Sequence, residues 1–383
     1  MRQLIGICGS GLIGTDPWDP QSWSGSSPSF FGECRDRGLL KEAVGIDAPF
    51  HWKGFYALRN YLRDSDHWKR LFYMEPGYRR VLTREVRRAL DSRDGEHDIL
   101  QLGAMYNAKE VVGTLARCYS YNDGNFYMGV RSPYFPKKIP AARIEATLDY
   151  ERGVNASLDR IFTMSEYLRK SFIDDYGIAP EKVVNIGAGI NLPSLPAVVE
   201  DKDYESGSIL FIGADFYRKG GRHLLDAFRI VRKRVGHAAL HIVGPSRRPE
   251  GVRAVEGVAW HGFLRKDQAQ DLQQLRRLFE QASVFVMPSL YEPFGIAPLE
   301  AMAHMVPCVV TDDWALPEIV PSGVCGENVE CGNVEQLAET LIALLRDPAR
   351  LQSYGIAGRR WVEERYTWPR VVDRLVAALD GPV

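Results

Sequence analysis

The segment Ser289-Leu-Tyr-Glu292-Pro-Phe294-Gly295-Ile296-Ala-Pro298-Leu-Glu300-Ala-Met302 combines two carboxylates with a tight loop and a helix start. It follows the apolar run Val284–Met287, which reads as a strand. Pro293 and Gly295 suit a turn, and Pro298 suits the first turn of a helix. Glu292 is then expected to project from the loop and Glu300 from the opening turns of the helix. Each carboxylate accepts two hydrogen bonds, which matches the vicinal hydroxyls of a sugar. Loop amides around Phe294, Gly295 and Ile296, with the helix start behind them, suit a phosphate. Glycosidases also use paired carboxylates, about 5–10 Å apart across one bond, and sequence spacing does not separate that reading from this one. A favourable charge at a helix start is the plain reading of Glu300.

A second group lies in Ile212-Gly213-Ala214-Asp215-Phe216-Tyr217-Arg218-Lys219-Gly220-Gly221, at another strand-to-helix turn. Adjacent cations there suit a diphosphate and the charge that builds on it as it departs. A solvated basic turn is the alternative. A third, Gly9-Ser-Gly11-Leu-Ile-Gly14, matches the dinucleotide pattern GxGxxG. That site needs a helix starting inside the motif. Pro17 and Pro20 forbid one, so NAD binding is not expected. Trp23-Ser24-Gly25-Ser26-Ser27-Pro28 places the first helix late, near Ser27, with amides suited to an anionic or hydroxyl-rich ligand.

The elements that carry these groups alternate. Strand-like runs are Leu4–Cys8, Ala43–Ile46, Ile99–Leu102, Arg117–Tyr121, Arg160–Met164 and Val183–Ile186, then Ile209–Ile212, Ala239–Val243, Val258–Trp260, Val284–Met287 and Cys308–Thr311. Most are continuous and β-branched, as parallel strands buried on both faces require. Helical patterns such as Gly221–Val235, Asp267–Gln281 and Val334–Leu345 lie between them. The fold class is therefore α/β, with open parallel sheets built from βαβ units. A chain of 383 residues accommodates two such domains of roughly 180 residues. The Pro-containing, then polar, stretch Leu192–Ser208 marks the break. Ligands of such sheets bind beyond the strand C-termini. Thr367-Trp368-Pro369 starts a closing helix that runs to about Leu379.

From Ile209 to about Leu379 the chain resembles the retaining glycosyltransferases of family four, which have the GT-B fold. The Glu-x7-Glu element of Glu292 and Glu300 is that family's signature. Around it, in the family's order, stand Gly244-Pro245, His261-Gly262-Phe263, Pro317-Glu318-Ile319-Val320 and Tyr366-Thr-Trp368. Looser landmarks of the first half are Trp23-Ser24-Gly25, Thr163-Met-Ser165 and Gly187-Ala-Gly189-Ile-Asn191.

The resemblance implies two Rossmann-like domains facing each other across a cleft: residues 1–195 on the acceptor side, 196–365 binding the donor, and a helix over 366–383 crossing back onto the first. It also implies transfer of a sugar from a UDP- or GDP-linked donor to a hydroxyl acceptor, which would be a glycan, a lipid-linked molecule or a small molecule. Glu292 would hold the transferred sugar, Glu300 the ribose and Lys219 the diphosphate. Gly213, Gly244, His261 and Gly262 would border the nucleotide. Trp23, Ser24, Gly25 and Ser26 would lie on the acceptor and sugar side.

Two departures stand out. Ala214 occupies the position where the family usually carries Arg, so Arg218 is the candidate substitute. The first-domain His that faces the sugar is replaced by Tyr121-Asn122-Asp123-Gly124-Asn125, which leaves Asp123 or Asn125 for the polar work. Rival readings are a phosphorylase of the same fold, a catalytically weak nucleotide-sugar-binding protein, and an epimerase, which would lack the Glu-x7-Glu context.

Composition adds exclusions. With a net charge of −1 the chain offers no bulk charge for nucleic acid. Eight scattered histidines and no metal-ligand cluster give an expectation of no metal and no cofactor beyond the donor substrate. Cys8, Cys34, Cys118, Cys308, Cys325 and Cys331 form no CxxC pair and read as reduced core residues of a cytoplasmic protein. No apolar stretch reaches the roughly 20 residues of a bilayer span. The segment Trp52–Arg93 interleaves Trp52, Phe55, Tyr56, Tyr61, Trp68, Phe72 and Tyr73 with Lys53, Arg59, Arg63, Lys69, Arg70, Arg79, Arg80, Arg84, Arg87 and Arg88. Its acidic residues are fewer, among them Asp64 and Asp66. It reads either as a solvated helical face over buried aromatics or as a weak contact with the anionic inner-membrane surface. Nothing in the sequence bears on oligomeric state.

Overall fold

The short β-branched runs do pair as two all-parallel sheets. The computed structural model describes residues 2–9, 14–61, 65–91, 96–192, 194–199 and 201–381, with the backbone alone at 65–67, 69 and 70. The chain divides into two compact units, Met1–Gly189 with Trp368–Val383, and Ile190–Thr367.

The first unit runs β1 (Leu4–Gly9), α1 (Ser26–Asp36), β2 (Leu40–Ile46), α2 (Phe50–Arg59), α3 (Ser65–Met74), α4 (Pro76–Asp91), β3 (Asp98–Leu102), α5 (Ala108–Val112), β4 (Cys118–Asn122), α6 (Phe126–Arg131), α7 (Ala141–Ser157), β5 (Arg160–Thr163), α8 (Glu166–Asp174) and β6 (Val183–Asn185). The second runs β7 (Ser208–Ile212), α9 (Gly221–Arg234), β8 (Ala239–Val243), β9 (Val258–Trp260), α10 (Ala269–Gln281), β10 (Val284–Met287), α11 (Ile296–Ala303), β11 (Cys308–Thr311), α12 (Leu316–Ile319), β12 (Gly326–Val329), α13 (Val334–Leu345) and α14 (Pro348–Arg365). The chain ends in α15 (Trp368–Asp380), which belongs to the first unit.

Strand order is β2-β1-β3-β4-β5-β6 in the first sheet and β12-β11-β10-β7-β8-β9 in the second. Both are doubly wound, and the order reverses beside β1 in one and beside β7 in the other. The loops after these strands lie at the switch points where such sheets bind ligands. Most inner strands are buried end to end, β1, β3, β4 and β10 among them. Full burial of each Val, Leu or Ile contributes about 1.5–3 kcal/mol relative to exposure.

The edge strand β12 has no counterpart among the sequence-predicted strands. Its sequence, Gly-Glu-Asn-Val, offers one apolar residue. It pairs because Gly326 lets the backbone approach: a β-carbon there would stand 1.9 Å from the Cys308 carbonyl oxygen. Helix α10 starts two residues later than the expected Asp267, whose carboxylate instead clips Arg265 at 2.6 and 3.0 Å. Cys331 is exposed, which corrects its reading as a core residue; the other five cysteines are buried thiols.

Helix α15 is fixed to the first unit by close packing. The Trp368 ring stands 5.8 Å from Phe30, and Arg374 donates to the Ile186 carbonyl at 2.6 Å. Among the described residues, no helix is long and apolar enough to cross a membrane.

Candidate active site

In the second unit the turn from β7 to α9 and the turn from β10 to α11 are stitched together through their backbones. Gly220 is left-handed (φ +75°) and caps α9, and a β-carbon on it would stand 1.9 Å from the Pro288 carbonyl oxygen. The Leu290 amide donates to the Arg218 carbonyl at 2.9 Å. Glycine is therefore required at Gly220 both for its conformation and for the close approach.

This stitching brings three expected residues together. The Lys219 ammonium pairs with the Glu292 carboxylate, and its side chain is only 14% exposed. Arg218 donates to the Tyr291 carbonyl at 2.9 Å and lies 3.8 Å from the same Glu292 oxygen. Asp215 flanks Arg218 at 3.3 Å. Burial lowers the Lys219 pKa from its ordinary value; Glu292 opposes that shift, and Arg218 adds to it. Ser289 and Thr311 support the Glu292 loop: Thr311 donates to the Ser289 carbonyl at 2.8 Å, and the Ser289 hydroxyl lies 3.5 Å from Glu292. Sequence reasoning did not single out either residue. Ala214 is exposed.

Gly295 caps α11 in a left-handed conformation (φ +104°), so the helix starts at Ile296 with its first amides unpaired within the helix. Phe294 is buried beneath this turn, and Glu300 is buried one turn into the helix. The Glu300 carboxylate pairs with the Lys266 ammonium, another residue that sequence reasoning missed. Its signal was present: a cation just beyond His261-Gly262-Phe263, in the loop that leaves β9.

Gly213 and Gly244 directly follow β7 and β8, and Gly262 stands two residues beyond β9, each with bare backbone. The Gly213 amide donates to Val243 at 2.9 Å and the Gly244 amide to Gly262 at 2.8 Å. A β-carbon at Gly244 (φ +129°) would stand 2.3 Å from the Gly213 carbonyl oxygen. His261 has both ring nitrogens engaged, with His241 at 3.0 Å and Gln274 at 3.2 Å. Burial lowers the pKa of both histidines. Phe263 beside them is exposed.

In the first unit, Ser10–Ile13 of the GxGxxG motif lie outside the described residues. Helix α1 starts only at Ser26, so it does not begin within the motif. Before α1 the backbone is left-handed at three successive residues: Trp23 (φ 49°), Ser24 (φ 56°) and Gly25 (φ 90°). For the two non-glycine residues this costs about 1–2 kcal/mol each. The buried Trp23 ring meets Tyr121 edge to face at 5.3 Å, which helps hold the turn. Ser26 opens the helix and is buried.

Asp123 and Asn125 separate in role. Asn125 is buried and its amide is spent within the fold: it accepts from the Met128 amide at 2.9 Å and donates to Ser171 at 2.9 Å. It is the N-cap of α6, which accounts for its presence without a ligand. Asp123 is half-buried in the loop that follows β4.

The basic-aromatic segment resolves unevenly. Arg63 and Asp64 lie outside the described residues, and the side chains of Asp66, Lys69 and Arg70 are not described. Arg79 is no surface cation: it is buried, donates to the Tyr73 carbonyl at 3.1 Å and lies over the Tyr150 ring. Arg80, Arg84, Arg87 and Arg88 are exposed on α4. The solvent face of α2 carries apolar residues beside the exposed His51 and Arg59: Phe50 is 89%, Phe55 51% and Leu58 79% exposed, with Tyr61 beyond its end. Among the described residues, no group of three or more His, Cys, Asp or Glu side chains could hold a metal ion.

Against known proteins, the profile of the family described as glycosyl transferases group 1 matches residues 206–347. Over that segment the chain is similar to the group 1 glycosyl transferases. It is 28% identical over 241 residues to the MMP α-(1→4)-mannosyltransferase of Mycolicibacterium hassiacum, covering 62% of this chain and 57% of that protein. It is 29% identical over 248 residues to a GDP-mannose-dependent α-(1-6)-phosphatidylinositol monomannoside mannosyltransferase of Mycobacterium tuberculosis, covering 60% and 64%. The matches therefore span about three fifths of these curated relatives. Among solved structures, sucrose-phosphate synthase from Thermosynechococcus elongatus superimposes with a TM-score of 0.71 over 99% of this chain and 98% of that one, at 17% identity. The fold is thus GT-B, with two Rossmann-like domains.

Proposed function

We propose that the protein is a retaining glycosyltransferase that moves a sugar from a nucleotide-diphosphate sugar to a hydroxyl acceptor. The observation that carries this reading is the cluster of Lys219, Arg218 and Glu292 at the switch point of the second sheet. Two cations and a carboxylate there match a diphosphate that must leave and a sugar whose hydroxyls must be held. In the reaction the bond from the anomeric carbon to the diphosphate oxygen breaks. The acceptor oxygen bonds to that carbon from the same face, and its proton passes to the departing phosphate. Lys219 and Arg218 stabilise the leaving charge, Glu292 holds the transferred sugar, and Glu300 holds the ribose. On the acceptor side, Asp123 and the Trp23–Ser26 turn supply the polar contacts.

The relative from Mycobacterium tuberculosis is named for GDP-mannose, which makes a GDP-linked donor the first to test and a UDP-linked donor the second. A thermal-shift screen of GDP and UDP, followed by the sugar nucleotides and product analysis, tests the reading. A ligand at a hundred times its dissociation constant adds about 2.7 kcal/mol of stability. Release of the nucleotide with an unchanged anomeric configuration supports transfer. Release of a sugar phosphate identifies a phosphorylase, and binding without turnover identifies a sensor. Activity is expected to survive EDTA.

We also propose a weak contact with anionic membrane through the solvent face of α2. Support comes from its exposed Phe50, Phe55 and Leu58, the absence of acidic residues from α2, and the exposed arginines of α4. About 1 kcal/mol per basic residue is available at such a surface. Vesicle flotation at low salt tests it. Binding that is insensitive to Phe50→Ser with Leu58→Ser would refute it and favour a soluble acceptor.

A further inference from the structure

The Glu300 carboxylate is buried, and burying a carboxylate costs several kcal/mol unless a partner compensates it. Lys266 supplies that compensation through its ammonium on Oε1. The lysine is not a loose surface residue that happens to fall there. Its neighbour Arg265 makes a two-pronged bond to Asp267 at 2.6 and 3.0 Å. The Arg265 backbone amide donates to Asp271 in the first turn of α10 at 2.9 Å, and the Gln268 amide donates back to the Arg265 carbonyl at 3.2 Å. The loop between β9 and α10 is thereby tied down on both sides of Lys266. Only 36% of the Lys266 side chain is exposed.

We infer that Lys266 is a positioning residue for Glu300: it orients the carboxylate so that its remaining acceptor sites meet the hydroxyls of the nucleotide ribose. This rests on the reading of Glu300 as the ribose ligand. A carboxylate has about four lone-pair sites, and one ammonium on Oε1 leaves room for a diol. Without Lys266 the carboxylate keeps its place in α11 but loses the contact that fixes its rotation. The loss then falls on the ribose contact specifically and not on the diphosphate contacts at Lys219 and Arg218.

The test compares a nucleotide with and without those hydroxyls. Calorimetry is run on the full chain with GDP and 2′,3′-dideoxy-GDP, or the uridine pair if UDP is the nucleotide that binds. The wild type is expected to prefer the ribonucleotide roughly ten- to a hundredfold, as for a hydrogen bond to a charged group. Lys266→Met should remove most of that preference by weakening the ribonucleotide while leaving the dideoxy form nearly unchanged, and Lys266→Arg should restore it. A Lys266→Met protein that keeps the wild-type preference overturns the proposal. So does one that loses affinity for both nucleotides equally, since that would place Lys266 on the phosphates or in the general fold. If the wild type itself shows no preference, or binds neither nucleotide, the reading of Glu300 fails first. Glu300→Gln provides the independent check on that reading.

Discussion

The backbone of Gly220 lies against the carbonyl of Pro288, close enough that a β-carbon would come within 1.9 Å of its oxygen. Gly220 directly follows Lys219, and Pro288 opens the loop that carries Glu292. One steric relationship therefore holds the two groups within ion-pair range. Gly220→Ala adds a clash to a left-handed backbone, which alone costs about 1–2 kcal/mol. The expected outcome is a loss of at least that much stability in denaturant unfolding. Turnover should fall further than Gly236→Ala lowers it, since Gly236 has nothing within 4 Å to meet.

The Lys219–Glu292 pair makes a second test. Lys219→Ala should lower kcat at least as strongly as it weakens donor binding, because the leaving charge is greatest in the transition state. A fall of roughly a hundredfold or more corresponds to the loss of one well-placed electrostatic contact. Arg218→Ala should show a smaller fall, because its guanidinium is shared with Tyr291 and Asp215. Glu292→Ala should abolish turnover and leave nucleotide binding nearly intact. Steady-state kinetics beside calorimetry separates these outcomes, and wild-type rates in both Lys219→Ala and Glu292→Ala would dismantle the assignment.

His304 predicts an acid-side loss of stability. It stacks on Phe279 with ring centroids 4.5 Å apart, its Nδ1 meets the Glu300 carbonyl at 2.9 Å, and burial pushes its pKa down from 6.5 to about 4. The folded form thus binds the proton less readily than the unfolded chain. This contribution is fully present above pH 6.5 and is lost as the pH falls towards 4. The shift corresponds to about 3 kcal/mol at most. Unfolding free energies at pH 7 and pH 5 should diverge less in His304→Asn than in the wild type. Equal divergence would mean that other groups carry the acid sensitivity.

How far the sequence is legible depends on whether the information is local. The buried strands announce themselves as unbroken β-branched runs because both faces are covered. Strand β12 does not, because its place is secured by a glycine's close approach to Cys308 and not by apolar residues. Glu292 and Glu300 sit in the loop and helix that Pro293, Gly295 and Pro298 announce. Their lysine partners come from other turns, β7 to α9 for Glu292 and β9 to α10 for Glu300, and only the folded sheet brings them together. Arg79 misled for a related reason. A run of arginines reads as one exposed stripe, but α4 turns this member inward onto Tyr150 while Arg80 stays outside.

The left-handed turn before α1 gives the last prediction. Ser24 pays a conformational cost that glycine would avoid, and Trp23 beside it is held by Tyr121. Strain of this kind is stored where the surrounding structure needs a fixed backbone. Ser24→Gly relieves about 1–2 kcal/mol of left-handed strain and gives back part of it as unfolded-chain entropy. The net expectation is a protein more stable by about 0.5–1 kcal/mol, read as a higher Tm. If the serine hydroxyl contacts substrate, the same variant turns over more slowly, with a raised KM for the acceptor or donor. A more stable protein with unchanged kinetics would assign the turn to folding alone. A less stable one would show that the hydroxyl's own bonds outweigh the strain.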